Sequence, residues 1–523
     1  MRYDYIIAGA GSAGCVLANR LSADPRVRVL LLEAGGPDRK LEIRVPAAFY
    51  KLFRTRYDWG YFADAQPELG GRKLFIPRGH TTGGSSSINA MIYMRGNRRD
   101  YDEWARVAGP EWSYDAVLPW FRKSEGQQRQ SADRTYHGTD GPLTVSDLRV
   151  VNVLTERFVE AAAAKGIPRN DDFNGPSQEG AGIVQVTQRN GARCSAADAF
   201  LRPIRGRSNL VVETNARATR IRFDGRVATG IDYLSVGRLK QANATREVII
   251  SGGAINSPQL LMLSGIGDPA QLREHGIAVV SESPDVGANL QDHPVIGVSY
   301  ACRTPVSLDT AERLSNMLRW LVMRSGPLTS NVAEGGAFTT VEPGADAPDV
   351  QFHFAPAWFV EHGFVRPAGS GFTLGPTLLT PRSRGHVRLA SSDPLTAARI
   401  DGNYLSDASD VERLVAAVRL ARTIAATAPF DEFRGAEAQP GAAAQSDREL
   451  SDFVRQNVEM LYHPVGTCRM GSDARSVVDP QLRVRGVEAL RVIDASIMPS
   501  VTRGNTNAPT IMIAERGADM LLR

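Results

Sequence analysis

The stretch Tyr3–Gly36, YDYIIAGAGSAGCVLANRLSADPRVRVLLLEAGG, decides the fold. Tyr5-Ile6-Ile7-Ala8 is a short apolar run suited to a buried strand. Gly9, Gly11 and Gly14 follow in GxGxxG spacing, and Cys15–Leu21 reads as the helix behind them. A second apolar run, Val27–Leu32, ends on an acid, Glu33. Each part has a task in binding a dinucleotide. Gly9 permits the tight turn, Gly11 lets a pyrophosphate approach the backbone, and Gly14 lets the helix pack against the strand. The phosphates rest on free N–H groups at the helix N-terminus, where the dipole favours anions. Glu33, at the tip of the second strand, is positioned to accept hydrogen bonds from ribose hydroxyls. Strand, glycines, helix, strand and acid within about thirty residues are a far stronger signal than the glycines alone. The competing reading is a βαβ unit without a ligand, and the motif does not separate NAD from FAD.

With 523 residues, 42% of them hydrophobic, the chain can bury a large core, and two domains, interleaved or not, are expected. Its 61 basic and 57 acidic residues are interspersed, so the net charge of +4 argues against a nucleic-acid partner. Cys15, Cys194, Cys302 and Cys468 lie far apart without a CxxC pair, which predicts reduced thiols and no metal site. The βαβ unit begins at residue 3, so no cleavable leader is expected before it. No apolar run reaches the roughly eighteen residues of a membrane-spanning helix. The expectation is a cytoplasmic protein, with attachment to the inner membrane face left open.

Outward from the first unit, Gly83-Gly84-Ser85-Ser86-Ser87-Ile88-Asn89 suits a backbone that closely approaches a ligand, and the apolar residues after it predict a helix. Helical patterns cover Tyr114–Lys123, Val151–Lys165 and Asp410–Ala426. Trp104, Trp112 and Trp120 read as core and interface filling. Short strands recur from Leu210 to Ile250, and the last runs into Ser251-Gly252-Gly253 and another helix. Asp349–Phe354 alternates, with Val350, Phe352 and Phe354 on one face; Gly435–Gln445 reads as a surface loop. Near the end, Tyr462–Gly471 and Leu490–Ser496 precede Gly504–Thr510, which caps a last helix over Ile511–Leu521, with Asn507 near its N-cap.

Four segments together resemble the glucose–methanol–choline (GMC) family of FAD-dependent oxidoreductases. They are the N-terminal unit, GGSSSIN at Gly83–Asn89, GAINSPQLLMLSGIG at Gly253–Gly267, and HPVGTCRMG with GNTNAPT near the end. The sequence is nearest in its motifs to the choline dehydrogenase and alcohol dehydrogenase branch. The resemblance implies an α/β fold, with a Rossmann-like FAD domain assembled from separated segments and a mixed-sheet substrate domain. The expected division is 1–294 for the FAD domain with inserted segments, 295–454 for the substrate domain, and 455–523 for a return to the FAD domain. FAD contacts are implied at Gly9, Gly11, Ser12, Ala13, Gly14, Glu33, Ala34, Thr82, Gly83, Gly84, Asn89, Ala218, Asp494, Ala495 and Asn507. His80 and Thr82 depart from residues common in relatives and would lie near the pyrophosphate or ring. Ile88 stands where some relatives attach FAD through histidine, so FAD is expected to be non-covalent.

Oxidising an alcohol requires a base working near pH 7 and a donor for the developing alkoxide; histidine suits the base. By resemblance His463 is that base and Asn507 its partner, donating to the substrate oxygen. His293 reads as structural, and His353 either faces the cavity or packs in the sheet. The implied activity is oxidation of a primary alcohol to an aldehyde with hydride transfer to the flavin. The electron acceptor is a quinone-like molecule or oxygen. A flavin-containing lyase or a light-driven decarboxylase on the same scaffold is the alternative. Oligomeric state is not legible.

Overall fold

The computed structural model describes residues 2–523. Its principal elements begin with β1 (Arg2–Ala8), α1 (Ser12–Leu21) and β2 (Val29–Glu33). A long excursion carries α2 (Arg98–Ala108), α3 (Tyr114–Ser124), α4 (Val153–Ala164) and β3 (Gly180–Ile183). Then come β4 (Leu210–Thr214), β5 (Ala216–Asp224), β6 (Val227–Ser235), β7 (Arg238–Ile250) and α5 (Gly253–Leu263). The remainder supplies β8 (Val298–Cys302), α6 (Leu314–Met323), β9 (Gly335–Thr339), β10 (Val350–Ala355) and β11 (Gly371–Leu378). It ends with α7 (Ala408–Ala425), β12 (Arg434–Gln439), α8 (Asp447–Asn457), β13 (Leu490–Val492) and α9 (Asn507–Leu522).

The first sheet has the order β4-β2-β1-β7-β6-β5, with β13 beside β7. Pairing is parallel from β4 to β7 and at β13, and antiparallel through β6 and β5. Ile6, Ile7, Leu30, Leu31, Val248 and Ile249 are buried because helices cover the parallel strands, as continuous apolar runs require. α1 and α9 lie side by side on this sheet. The Tyr5 hydroxyl donates to the Leu521 carbonyl (3.0 Å), and Arg20 pairs with the buried Glu515 (2.6 Å), so the two ends of the chain are held together.

The second sheet has the order β12-β8-β11-β10-β9-β3. Expected to be mixed, it is antiparallel in every pairing; the mixed sheet is the first. The supposed surface loop at Gly435–Gln445 is also corrected: its first residues belong to β12, paired with β8. Strand β3 joins this sheet from far earlier in the chain, and the short strand Glu459–Met460 joins from after it. Alternation along β10 does what period two dictates. Val350, Phe352 and Phe354 face the helices behind, where Phe354 stacks on Phe158 of α4 at 4.7 Å between ring centroids. His353 and Ala355 therefore face the opposite side and line the large internal cavity. Among the described residues the cysteines are all free and no helix is long and apolar enough to cross a membrane.

Candidate active site

Between the two sheets lies a cavity of about 650 Å³ that runs from the β1–α1 turn to the face of the second sheet. Close packing of backbone builds its dinucleotide end. A Cβ on Gly14 would stand 1.9 Å from the Gly9 carbonyl oxygen, so only glycine lets α1 approach β1. A Cβ on Gly84 would stand 2.7 Å from Gly11 Cα, so the glycine–serine stretch closes directly over the first turn. That stretch is a 3₁₀ turn over Gly84–Ser87 rather than the start of the expected helix. Serines compete for backbone bonds and favour turns: Ser86 Oγ donates to Gly83 O (2.6 Å) and Ser87 Oγ to Thr82 O (2.7 Å).

Three helices start at this cavity, α1, α5 and α9, and none is capped by the side chain of its own N-cap residue. Among the described residues only Asp494, on the Gly253 N–H of α5, fills one of these donors from elsewhere in the chain. Away from the cavity, helices α2, α4, α7 and α8 are capped by Asn97, Asn152, Asp407 and Ser446, and α3 and α6 are not. Unfilled N–H donors converging on one cavity are what an anionic or carbonyl-bearing ligand needs. Glu33, 5% exposed, lines the same end. Its Oε2 accepts from the Ala10 N–H (2.9 Å) and its Oε1 from the Gly35 N–H (2.8 Å), yet burial raises its pKa to about 7. Hydroxyl donors from a ribose would favour the charged form. The residues present thus fit a dinucleotide.

Of the sequence-designated contacts, Gly9, Gly11, Ser12, Ala13, Glu33, Ala34, Gly84, Asn89, Ala218, Asp494, Ala495 and Asn507 line the cavity. Gly14, Thr82 and Gly83 stand behind its wall. Gly14 serves the helix–strand packing, Gly83 N–H donates to Ala10 O (2.8 Å), and Thr82 Oγ1 donates to Asp38 (3.0 Å). His80 also turns away: it lies against Trp59, with ring centroids 4.4 Å apart. Asp494 lines the cavity but spends its carboxylate internally, on Gly253 N–H (2.8 Å), Ser257, and both donors of Ser496. It ties the end of β13 to the start of α5.

At the other end of the cavity lies His463, 9% exposed. Its backbone is placed by two constraints. Tyr462 sits at φ 67°, a left-handed conformation uncommon for a large residue, and the His463 N–H donates to Asp292 Oδ1 (2.7 Å). Its ring is placed by His293, which is not merely structural. His293 Nε2 lies 3.2 Å from the Leu379 carbonyl, which can only accept, so this nitrogen carries the proton. Burial lowers the His293 pKa to about 3, so the ring is neutral and its Nδ1 is a bare acceptor. His463 Nδ1 lies 3.0 Å from that acceptor and must be the donor. Burial also holds the His463 pKa well below the usual value, so its Nε2 is unprotonated. The amide N–H of Asn505 donates to this nitrogen (3.2 Å).

The partner facing His463 is thus Asn505. Asn507, paired with His463 in the sequence reading, occupies the first turn of α9, where its Oδ1 accepts from Ser12 Oγ (2.7 Å). Two asparagines two residues apart at a helix start carry no sequence signal as to which one turns inward. His353 is resolved as a cavity residue: Thr377 donates its hydroxyl to Gly375 O (3.1 Å), so its oxygen accepts from His353 Nδ1 (3.1 Å). His353 Nε2 is buried without a partner, and burial lowers the pKa to about 4. Sequence reasoning also missed Arg78, a cavity-lining residue whose guanidinium donates to Tyr462 O (2.7 Å). Around these polar groups the walls include Phe49, Phe53, Phe75, Phe359, Val295 and Val332. The carboxylate of Glu459, also in the lining, is engaged by Arg72 (3.0 Å) and His362 (3.1 Å).

Family models for GMC oxidoreductases match residues 3–295 and 381–514. An alcohol dehydrogenase [acceptor] of Pseudomonas putida is 47% identical over 529 residues, covering 100% of this chain and 96% of the relative. The mitochondrial choline dehydrogenase of Homo sapiens is 45% identical, covering 99% of this chain and 89% of the relative. Among solved structures, pyridoxine 4-oxidase from Mesorbium loti superposes with a TM-score of 0.91 at 35% identity, covering 99% of this chain and 98% of that one. Formate oxidase of Aspergillus oryzae gives a TM-score of 0.94 at 26% identity with the same coverage. With the family models matching most of the chain and the relatives aligned along nearly its whole length, this chain belongs to the GMC oxidoreductase family.

Proposed function

We propose that this protein oxidises a primary alcohol with an apolar or aromatic body to the aldehyde, with His463 as the base. The observation that carries this reading is the proton order Leu379 C=O, His293, His463, which leaves His463 Nε2 bare and directed at Asn505. An alcohol oxygen between the two residues gives its proton to Nε2 and takes the Asn505 amide N–H, which stabilises the developing alkoxide. His293 accepts from the imidazolium that forms and holds its orientation. Phenylalanines and valines of the wall exclude water and bind the substrate's apolar part; His353 Nε2 offers one further acceptor. Bound FAD supplies the two-electron acceptor for the hydride. Glu33 would hold its ribose and the free N–H groups of Ser12 and Ala13 its pyrophosphate. Ile88, a wall residue without a nucleophile, supports non-covalent binding. The names of the relatives, alcohol and choline dehydrogenases, favour the same chemistry.

The test is an anaerobic titration of the holoprotein with benzyl alcohol, 1-octanol and choline. Flavin bleaching by the apolar alcohols is expected, and its absence with every alcohol would overturn the reading. Admitting air afterwards tells whether oxygen accepts the electrons.

A further inference from the structure

One helix presents an uncovered apolar face. On α6, Trp320 is 1% exposed; its indole N–H donates to Gly191 O (2.8 Å), and it packs with Val45, Ala48, Ala311 and Leu328. That residue clamps one side of the helix to the body. At the helical spacing, Met317, Leu321, Leu314, Leu318 and Val322 fan over an arc of about 140° away from the clamp. These five side chains are between 42% and 83% exposed. Scattered exposed leucines are ordinary, but a contiguous arc of this kind marks a surface that something else covers.

Charge identifies the occupant. The helix carries no acidic residue. Arg313, Arg319 and Arg324 lie on it or at its ends, and among the described residues none of the three is in an ion pair. The adjacent acid, Glu312, is neutralised by Lys51 (3.0 Å) and Arg366 (3.0 Å). An apolar arc with a cationic border is the composition of an interfacial helix on anionic lipid. Two copies meeting through this face would bring their arginines together.

The patch also continues to the mouth of the cavity. The Tyr50 hydroxyl bonds to Glu312 and to Arg366. Its neighbour Phe49 lines the cavity. Past Arg366 come the partly exposed Val365 and Phe364, the latter under the Arg54 guanidinium (4.4 Å), and Arg54 is itself a lining residue.

We propose that α6 docks the protein on an anionic lipid bilayer. The apolar arc enters the headgroup–acyl boundary, the arginines meet lipid phosphates, and the cavity mouth faces the membrane. Docking stands independently of the alcohol reading; exchange of an apolar alcohol between bilayer and cavity rests on it.

The experiment is co-sedimentation of the holoprotein with vesicles of phosphatidylcholine alone, or of equal parts phosphatidylcholine and phosphatidylglycerol. The wild type is expected to pellet with the mixed vesicles, more weakly with phosphatidylcholine, and to be partly released by salt. Leu318→Glu with Val322→Glu should weaken binding about tenfold or more, because apolar area is lost and anionic charge gained. Arg313→Glu with Arg319→Glu should abolish the preference for anionic lipid. All these residues are exposed, so flavin content and melting temperature should match the wild type and certify folding. Wild-type protein that stays in the supernatant with both vesicles overturns the proposal. So does equal binding by the Leu318/Val322 variant, or a wild-type dimer that this variant splits with no vesicle binding by either.

Discussion

At the scale of the residue, the site depends on which nitrogen holds a proton. His463→Ala should lower turnover by roughly 100- to 10,000-fold, measured by stopped-flow flavin reduction, with FAD still bound. Asn505→Ala should lower turnover more than Asn507→Ala, because only Asn505 lies within hydrogen-bond reach of His463 Nε2; equal losses would return the role to Asn507. His293→Ala removes the acceptor for His463 Nδ1–H and frees the ring to adopt the other tautomer. Turnover should fall, and His293→Gln, whose amide oxygen can accept, should recover part of it. Glu33→Ala should weaken FAD by about tenfold or more in dialysis measurements, since a charge-assisted bond to a hydroxyl contributes about 1.5–3 kcal/mol. His463 and Asn507 were both legible as polar residues in glycine-rich motifs. Asn505 was not distinguishable from Asn507 because that distinction depends on where helix α9 begins.

At the scale of the element, β10 carries two functions on its two faces. Phe354 is fully buried against Phe158 and Phe372, while His353 one residue earlier faces the cavity. Phe354→Ala should destabilise the protein by about 3–5 kcal/mol in chemical denaturation, the usual cost of removing a buried phenylalanine. Period-two alternation made the apolar face of this strand readable, but it could not say whether the other face met solvent, a second layer or a cavity. The same limit explains β12: Arg434–Gln439 lacks the apolar alternation of a strand. It pairs at the sheet edge through backbone bonds, which are independent of composition, and through one side-chain bond from the Tyr300 hydroxyl to Glu437 (3.0 Å). The 3₁₀ turn at Gly84–Ser87 was likewise read as leading into a helix, because side-chain bonds of Ser86 and Ser87 to the backbone are invisible in an apolar pattern.

At the scale of the whole molecule, three histidines, His293, His353 and His463, are buried with lowered pKa values. An imidazole whose folded pKa lies below its unfolded value contributes stability above the unfolded pKa, and loses it as pH falls towards the folded one. For His353 that window runs from the ordinary value of 6.5 down to about 4. Between pH 6.5 and 5.5 the wild type should therefore lose about 1 kcal/mol relative to His353→Gln in parallel denaturation curves. Glu33 and Asp292, both raised to about 7, act in the opposite sense. The comparison within one background isolates the imidazole.

By itself the sequence determined the βαβ unit, the ligand class and the motifs, because those rest on local features: apolar run length, glycine at turns, an acid at a strand end. The family resemblance, carried by a contiguous motif, pointed to His463. Tertiary structure decided what depends on separated segments meeting. Residues 292–293, 353, 379, 462–463 and 505 come together only when the second sheet is laid over the first and α9 returns beside α1. The proton order along Leu379, His293 and His463 is set by which groups are adjacent in space and by burial that keeps both rings neutral. Neither adjacency nor burial is a property of any single stretch of chain.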